Sequence, residues 1–296
     1  MDDLEMRAPF AVARSRPGDW GVPDRVPIEG TVTGAAVSVV GVDKSFRRRG
    51  QRTHALSRVD LNVAPGELVS LLGPSGCGKS TLLRTIGGLI DVDAGTISVD
   101  GVGPAVARRE KRFGLVPQAP ALVPWLNVED NVTFLATLHR HRGVRRVDSG
   151  GPLSAHEVDE LIRAVGLDQF RKAWPHELSG GMQQRASLVR GFALGAPVLL
   201  MDEPFAALDE ITRADARYLL LDLWTRTGAT VVFVTHSIPE AVILSDRVVV
   251  MAPRPGRVAA IETIELPRPR TPDMEDDPAF HDHVRRLRAV LRETST

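Results

Sequence analysis

The sequence holds one cysteine, Cys77, in 296 residues. That excludes an intrachain disulfide framework and makes a reduced cytosolic setting the expectation. Net charge is missing too: 37 basic side chains balance 37 acidic ones. No global field draws the chain to a polyanion, no recognisable reading module is present, and no nucleic-acid partner is expected. No apolar run approaches the roughly 18 residues of a membrane span. The longest stretches, Pro197 to Met201 and Ala229 to Val234, have the length of strands. The first five residues carry two aspartates and a glutamate with no apolar segment behind them, unlike a secretory leader. By itself the chain reads as a soluble intracellular protein, long enough to bury a substantial core.

What is present centres on Gly73-Pro74-Ser75-Gly76-Cys77-Gly78-Lys79-Ser80-Thr81. The run fits G-x-x-x-x-G-K-[ST], and its surroundings fit as well. Leu68 to Leu72 before it is a short apolar strand; Thr81 to Ile86 after it opens a helix that Gly87-Gly88 stops. Strand, glycine loop and helix together turn backbone N–H groups and the helix dipole toward one phosphate. Lys79 reaches the β- and γ-phosphates in such a loop, and the Ser80 hydroxyl ligates Mg²⁺. Cys77 is read as a loop residue contributing its backbone rather than as a redox switch.

Before the loop, residues 1–34 contain Pro9, Pro17, Pro23 and Pro27 without periodicity and read as a flexible extension, with Trp20 able to dock. Arg47 to Arg52 is a basic turn, read as a solvated hairpin tip. Val59, Leu61 and Val63 alternate as a half-buried strand, and Ile97 and Val99 alternate before Asp100-Gly101, a hairpin signal. From Trp125 to about Phe170 the period is helical: one helix around Asn131 to Leu138, another from Ser154 to Gly166. His139 to Gly151, basic and then glycine-rich, reads as a surface loop, and its two histidines have no carboxylate or cysteine beside them to form a metal site. After residue 179 helices and strands alternate: Gln183 to Leu194, Val198 to Met201, Ile211 to Gly228, Thr230 to Thr235, Arg247 to Met251. That order argues for a parallel sheet with helices on both faces. Residues 271–296 are taken as a tail, with a short amphipathic helix from His283 to Leu291.

Two further stretches carry chemistry. Val198 to Met201 delivers Asp202 and Glu203 to the carboxyl edge of the sheet, where α/β folds bind ligands. Asp202 suits a Mg²⁺ contact and Glu203 the polarisation of attacking water. Leu178-Ser179-Gly180-Gly181 opens a helix whose free N–H groups make a second phosphate-binding end.

With these in place the chain resembles the nucleotide-binding subunit of ATP-binding-cassette (ABC) transporters over about residues 36 to 262. The phosphate loop, Gln118, the Leu178 to Gly181 signature, Asp202-Glu203, Ala207-Leu208-Asp209 and His236 agree in order. Pro117 replaces a commoner aromatic or aliphatic residue and Ala206 a commoner glycine or serine; neither removes a ligand. The resemblance implies an α/β P-loop NTPase (RecA-like) core in residues 35–270, with an antiparallel β subdomain and an inserted α-helical subdomain at about 119–178. It implies that Gln118 contacts Mg²⁺ and the attacking water, that His236 contacts the γ-phosphate, and that adenine stacks on Phe46. It implies ATP sandwiched between two copies of the chain, with Ser179, Gly180 and Gly181 of one copy facing the phosphate loop of the other. Permease subunits at the cytoplasmic face of the inner membrane would dock beside Pro124 to Val128, and a solute-binding protein would act through them. Pro253-Arg254-Pro255-Gly256-Arg257-Val258 and Leu266 to Arg270 resemble the nitrate, sulfonate and taurine importer branch. The alternatives are a cassette for lipoprotein release or cell division, and a soluble cassette acting on DNA or ribosomes. The last fits poorly with one phosphate loop, one signature and no extended heptads.

Overall fold

Two long strands, β1 (Val37–Arg48) and β2 (Gln51–Val63), come first among the described residues as an antiparallel pair whose register ends at Arg48 opposite Gln51. In the inner half of β2 buried and solvent-facing positions alternate, as in a sheet with one wet face. The strand before the glycine loop, β3 (Leu68–Leu72), is buried at all five positions. Helix α1 (Lys79–Ile86) leads to β4 (Ala94–Val99), α2 (Pro104–Arg109) and β5 (Phe113–Val116). Helices α3 (Val128–His141), α4 (Ala155–Ala164) and α5 (Gly180–Ala193) follow. Next come β6 (Val198–Asp202), α6 (Glu210–Thr227), β7 (Thr230–Thr235), α7 (Ile238–Leu244), β8 (Arg247–Ala252), β9 (Arg257–Thr263) and α8 (Pro278–Ser295). This computed structural model describes residues 34–48, 51–141 and 151–295. The extension with Trp20, the tip at 49–50 and the basic stretch 142–150 lie outside the described residues.

The strands form two sheets. β2-β1-β4 is antiparallel; β5-β6-β7-β3-β8-β9 is parallel except for β9, which runs back along β8. Alternate residues of the large sheet feed two separate cores, because side chains change face at every step. Leu68, Leu72, Leu199, Met201, Val231 and Phe233 face Trp224 and the helices of the second half. Val69, Leu71, Val198, Leu200, Val232 and Val234 face Leu82, Leu83 and the antiparallel sheet. Both faces are dry, which is why β3, β6 and β7 are mostly apolar rather than alternating; Ser70 in β3 is buried against the Ser245 hydroxyl. These features are those of a P-loop α/β core with an antiparallel subdomain.

Several expectations shift in detail. Asp100-Gly101 makes a tight turn, but it closes only the bridge between Val99 and Val102 before α2 begins, so no second strand follows. His139 and His141 belong to the last turn of α3 and not to a loop. The stretch read as a tail packs on the core. Phe280, Val284, Leu287 and Val290 recur at helical spacing on α8 and join the cluster around Trp224. Ahead of α8, Glu275 accepts from Arg217 at 2.9 Å and from the Tyr218 hydroxyl at 2.6 Å. Burial and that carboxylate push the Tyr218 hydroxyl well above the ordinary phenol range. Arg270 donates to the carbonyls of Val242, Ile243 and Ser245 at the end of α7, where helix carbonyls lack partners.

Candidate nucleotide site

Leu72 of β3 is in register with Thr235 of β7, and Asp202 of β6 with Val234. The segments after these parallel strands therefore share one edge of the sheet, its carboxyl edge. After β3 the chain curls through the glycine loop. Gly78, at φ 98°, caps α1, and a Cβ there would lie 2.9 Å from the Ala55 carbonyl oxygen. Only glycine makes that turn against β2 without strain.

The loop borders a cleft of about 350 Å³. One wall is Ser75, Gly76, Gly78, Lys79, Ser80 and Thr81; the others are Thr53, His54 and Ala55 of β2, Glu203, and Arg254 and Gly256 from the β8–β9 turn. The Lys79 ammonium is buried and donates to the carbonyls of Gly73 at 2.7 Å and Pro74 at 3.0 Å. The Cys77 sulfur, 3.9 Å away, is its further contact; these groups are neutral, so an anion entering the loop balances its charge. The Cys77 thiol is buried, and burial pushes its pKa up, which leaves it protonated and a poor nucleophile.

The Ser80 hydroxyl donates to Asp202 Oδ1 at 2.6 Å, and Arg84 approaches Oδ2 at 3.4 Å. A hydroxyl and a carboxylate side by side are the hard oxygen donors that Mg²⁺ takes. No group of three or more His, Cys, Asp or Glu side chains suited to a metal occurs among the described residues. The donor set therefore fits a cation that completes its shell with phosphate oxygens and water. Such an ion would supply charge neutralisation on the phosphate oxygens.

Glu203 follows β6 in a left-handed conformation, φ 47°, with its N–H donating to the Val234 carbonyl at 3.1 Å. Glu203 lines the cleft, and His236 Nδ1 donates to its Oε2 at 3.1 Å. The peptide around His236 is fixed from behind. Thr235 Oγ1 donates to Glu240 at 2.6 Å and accepts from the Ser237 N–H at 2.9 Å. Glu240 is buried, and burial is the main cause of its raised pKa. Glu203, His236, Arg213 and Glu240 border a small cavity of about 10 Å³, close to the room of one water molecule.

The other expected residues lie around the cleft rather than in it. Gln118 is exposed, two residues past the end of β5. Phe46, 39% exposed, is the register partner of Thr53 in the cleft wall, with Lys44 Nζ 5.6 Å from its ring centre. Ser179 caps α5 by accepting from the Met182 N–H at 3.3 Å; Ser179 and Gly180 are exposed and neither lines the cleft. Gly181 faces Thr212 of α6, whose methyl a Cβ would meet at 2.7 Å.

Two buried polar side chains, given no role in the sequence reading, hold the segment after Gln118. Arg190 of α5, 8% exposed, donates to the carbonyls of Pro120 and Ala121 at 2.7 Å each. Asn131 of α3 accepts from the Val123 N–H at 2.7 Å and donates to the carbonyls of Val123, Leu126 and Asn127. Trp125, in the middle of that segment, is 73% exposed. Arg190 and Asn131 sit on apolar helix faces, where a charged or amide group needs a specific partner; that was the available signal. His54 and Arg254 gave none, since only the fold brings β2 and the β8–β9 turn beside the glycine loop.

Comparison with known proteins agrees with this geometry. The family described as ABC transporter matches residues 56–206. A protein named taurine import ATP-binding protein TauB, from Rhizobium johnstonii, is 41% identical over 256 residues, 83% of this chain and 92% of that one. An aliphatic sulfonates import ATP-binding protein SsuB from Bacillus cereus is 38% identical over 81% of this chain and 90% of its own. A solved structure described as a dimeric, post-hydrolysis state of the ATP-binding cassette MJ0796 bound to ADP and Pi superposes with a TM-score of 0.65. It is 30% identical to this chain and covers 78% of it and 99% of its own length. A phosphate loop on β3, carboxylates after β6, a histidine after β7 and these relatives lead to one conclusion: the chain belongs to the ABC transporter family, as an ATPase cassette.

Proposed function

We propose that this cassette hydrolyses Mg-ATP as one of a pair and thereby powers import of a small anion of the nitrate, sulfonate and taurine class. The observation that carries the import reading is the pair of relatives named for taurine and aliphatic sulfonate import, each aligned over more than four fifths of this chain. Lys79 and the loop N–H groups hold the phosphates, Ser80 and Asp202 hold Mg²⁺ with Gln118, and Glu203 polarises the attacking water. His236 holds Glu203 and meets the γ-phosphate; Phe46 stacks on adenine. The exposure of Ser179 and Gly180 outside their own cleft supports their serving the second copy. No helix among the described residues is long and apolar enough to cross a membrane. The pair then works from the cytoplasmic face of the inner membrane on permease subunits, with a solute-binding protein delivering the solute.

Deletion of the gene tests the class. The strain is expected to lose uptake of a radiolabelled small sulfonate, taurine or nitrate and to regain it with the wild-type copy but not with Lys79→Ala. Unchanged uptake across that class, with loss of a sugar or peptide instead, moves the protein to another branch of importers.

A further inference from the structure

One cation in the cleft has no part in the mechanism above. Arg254 sits in the four-residue turn between β8 and β9, where Ala252 is the register partner of Arg257. It lines the cleft beside Ser75, Gly76 and Lys79. Its side chain makes no hydrogen bond or ion pair among the described residues, so no carboxylate uses its charge.

The turn is not a loose one. The Gly256 N–H donates to the Ala55 carbonyl at 3.0 Å, and the Ser57 N–H donates to the Gly256 carbonyl at 2.8 Å. A Cβ on Gly256 would stand 2.3 Å from the Cys77 carbonyl oxygen. The turn backbone therefore lies directly on the glycine loop, and no side chain fits between them. Arg254 itself adopts φ 56°, a left-handed conformation that arginine rarely takes. Strain of this kind persists where the surrounding contacts fix it, and here it presents a guanidinium to the cleft.

Sheet order tells which part of a nucleotide it meets. The strands run β6-β7-β3-β8, so Glu203 and Arg254 enter from opposite sides of β3. Glu203 holds the side where the γ-phosphate is attacked. Arg254 comes from the side of Thr53, His54 and Ala55, toward the phosphates that do not react. A guanidinium fork matches two phosphate oxygens better than it matches a base or a ribose hydroxyl.

We infer that Arg254 is a further nucleotide-binding residue, contacting the α- or β-phosphate shared by ATP and ADP. This rests on the nucleotide-site reading of the cleft. The contact binds without favouring the transition state, so its loss weakens affinity far more than turnover.

Titration calorimetry on the full chain tests it with ADP, ATP and adenosine, the last by displacement of ADP. Arg254→Ala is expected to raise the Kd for ADP and ATP about tenfold, the loss of one charge-assisted contact in a half-open site, and for adenosine less than about twofold. Arg254→Gly relieves the left-handed backbone and should unfold no earlier than wild type, yet lose the same affinity. Arg257→Ala, which removes an exposed charge outside the cleft, leaves ADP affinity as it was. ADP bound by Arg254→Ala as tightly as by wild type overturns the inference. So does equal weakening of adenosine and ADP, which would make the side chain a wall for the nucleoside. A folded wild type that binds neither ADP nor ATP refutes the nucleotide site itself, a different failure.

Discussion

His236 donates from Nδ1 to Glu203 Oε2 across 3.1 Å, with both side chains delivered by neighbouring parallel strands. The imidazole therefore fixes the carboxylate's rotamer before any water is polarised. His236→Ala is expected to lower kcat about a hundredfold, the scale of a positioned acid–base group, while the Kd for ATP changes little. Stopped-flow turnover and nucleotide titration on the same preparation separate the two effects. A loss confined to ATP affinity would remove the histidine from the hydrolytic step.

Glu203→Gln keeps the shape of the side chain and leaves the Ser80 to Asp202 contact in place. Water activation weakens, so bound ATP should persist and hold two chains together. Light scattering after size exclusion should show a dimer with Mg-ATP and a monomer without it. A variant that binds ATP yet stays monomeric contradicts the shared site.

Lys79→Ala removes a buried ammonium held by the Gly73 and Pro74 carbonyls and the Cys77 sulfur. ATP hydrolysis should fall at least about a hundredfold, as when a preorganised electrostatic contact to the reacting group is lost. Since those carbonyls regain water at the cleft, the fold should survive, which circular dichroism checks. Turnover near wild type would end the assignment of the loop.

Trp224 is the largest fully buried side chain among the described residues, donating to the Ala229 carbonyl at 2.9 Å with Arg268 stacked 4.2 Å above its ring. Trp224→Ala should cost about 3–5 kcal/mol of stability. Trp224→Phe keeps most of the packing but orphans the carbonyl, so about 1–3 kcal/mol should be lost. Urea melts give both numbers. Equal costs for the two would mean that the hydrogen bond and not the packing carries the residue.

The sequence was most legible where local chemistry and tertiary environment agree. β3 is buried at every position and runs straight into the glycine loop, and Thr230–Thr235 is a strand with the bounds its apolar run gives. β9 was missed because its partly exposed residues show no clean alternation, and it exists through pairing with β8. α7 is seven residues long with a proline in its first turn, too short for a periodic signal. α8 is legible only as a short amphipathic helix from His283 to Leu291 inside a tail; its full length and its docking depend on the core around Trp224 that its apolar face joins. Within the site, the motif residues were legible one by one. The cleft wall from β2 and the β8–β9 turn was not, because it depends on which strands become neighbours.

Asn131 has a consequence for the surface it underlies. By taking one N–H and three carbonyls of residues 123–127 into α3, it leaves that segment's backbone little to offer a partner by hydrogen bonding. What the segment turns outward is the Trp125 indole on a backbone pinned by Asn131 and, just upstream, by Arg190. A partner that covered it would not have to order the segment first, so little conformational entropy would oppose docking. A push on the indole would pass through Arg190 into α5 and the Ser179 end of that helix, as movement of one body rather than bending of a loop.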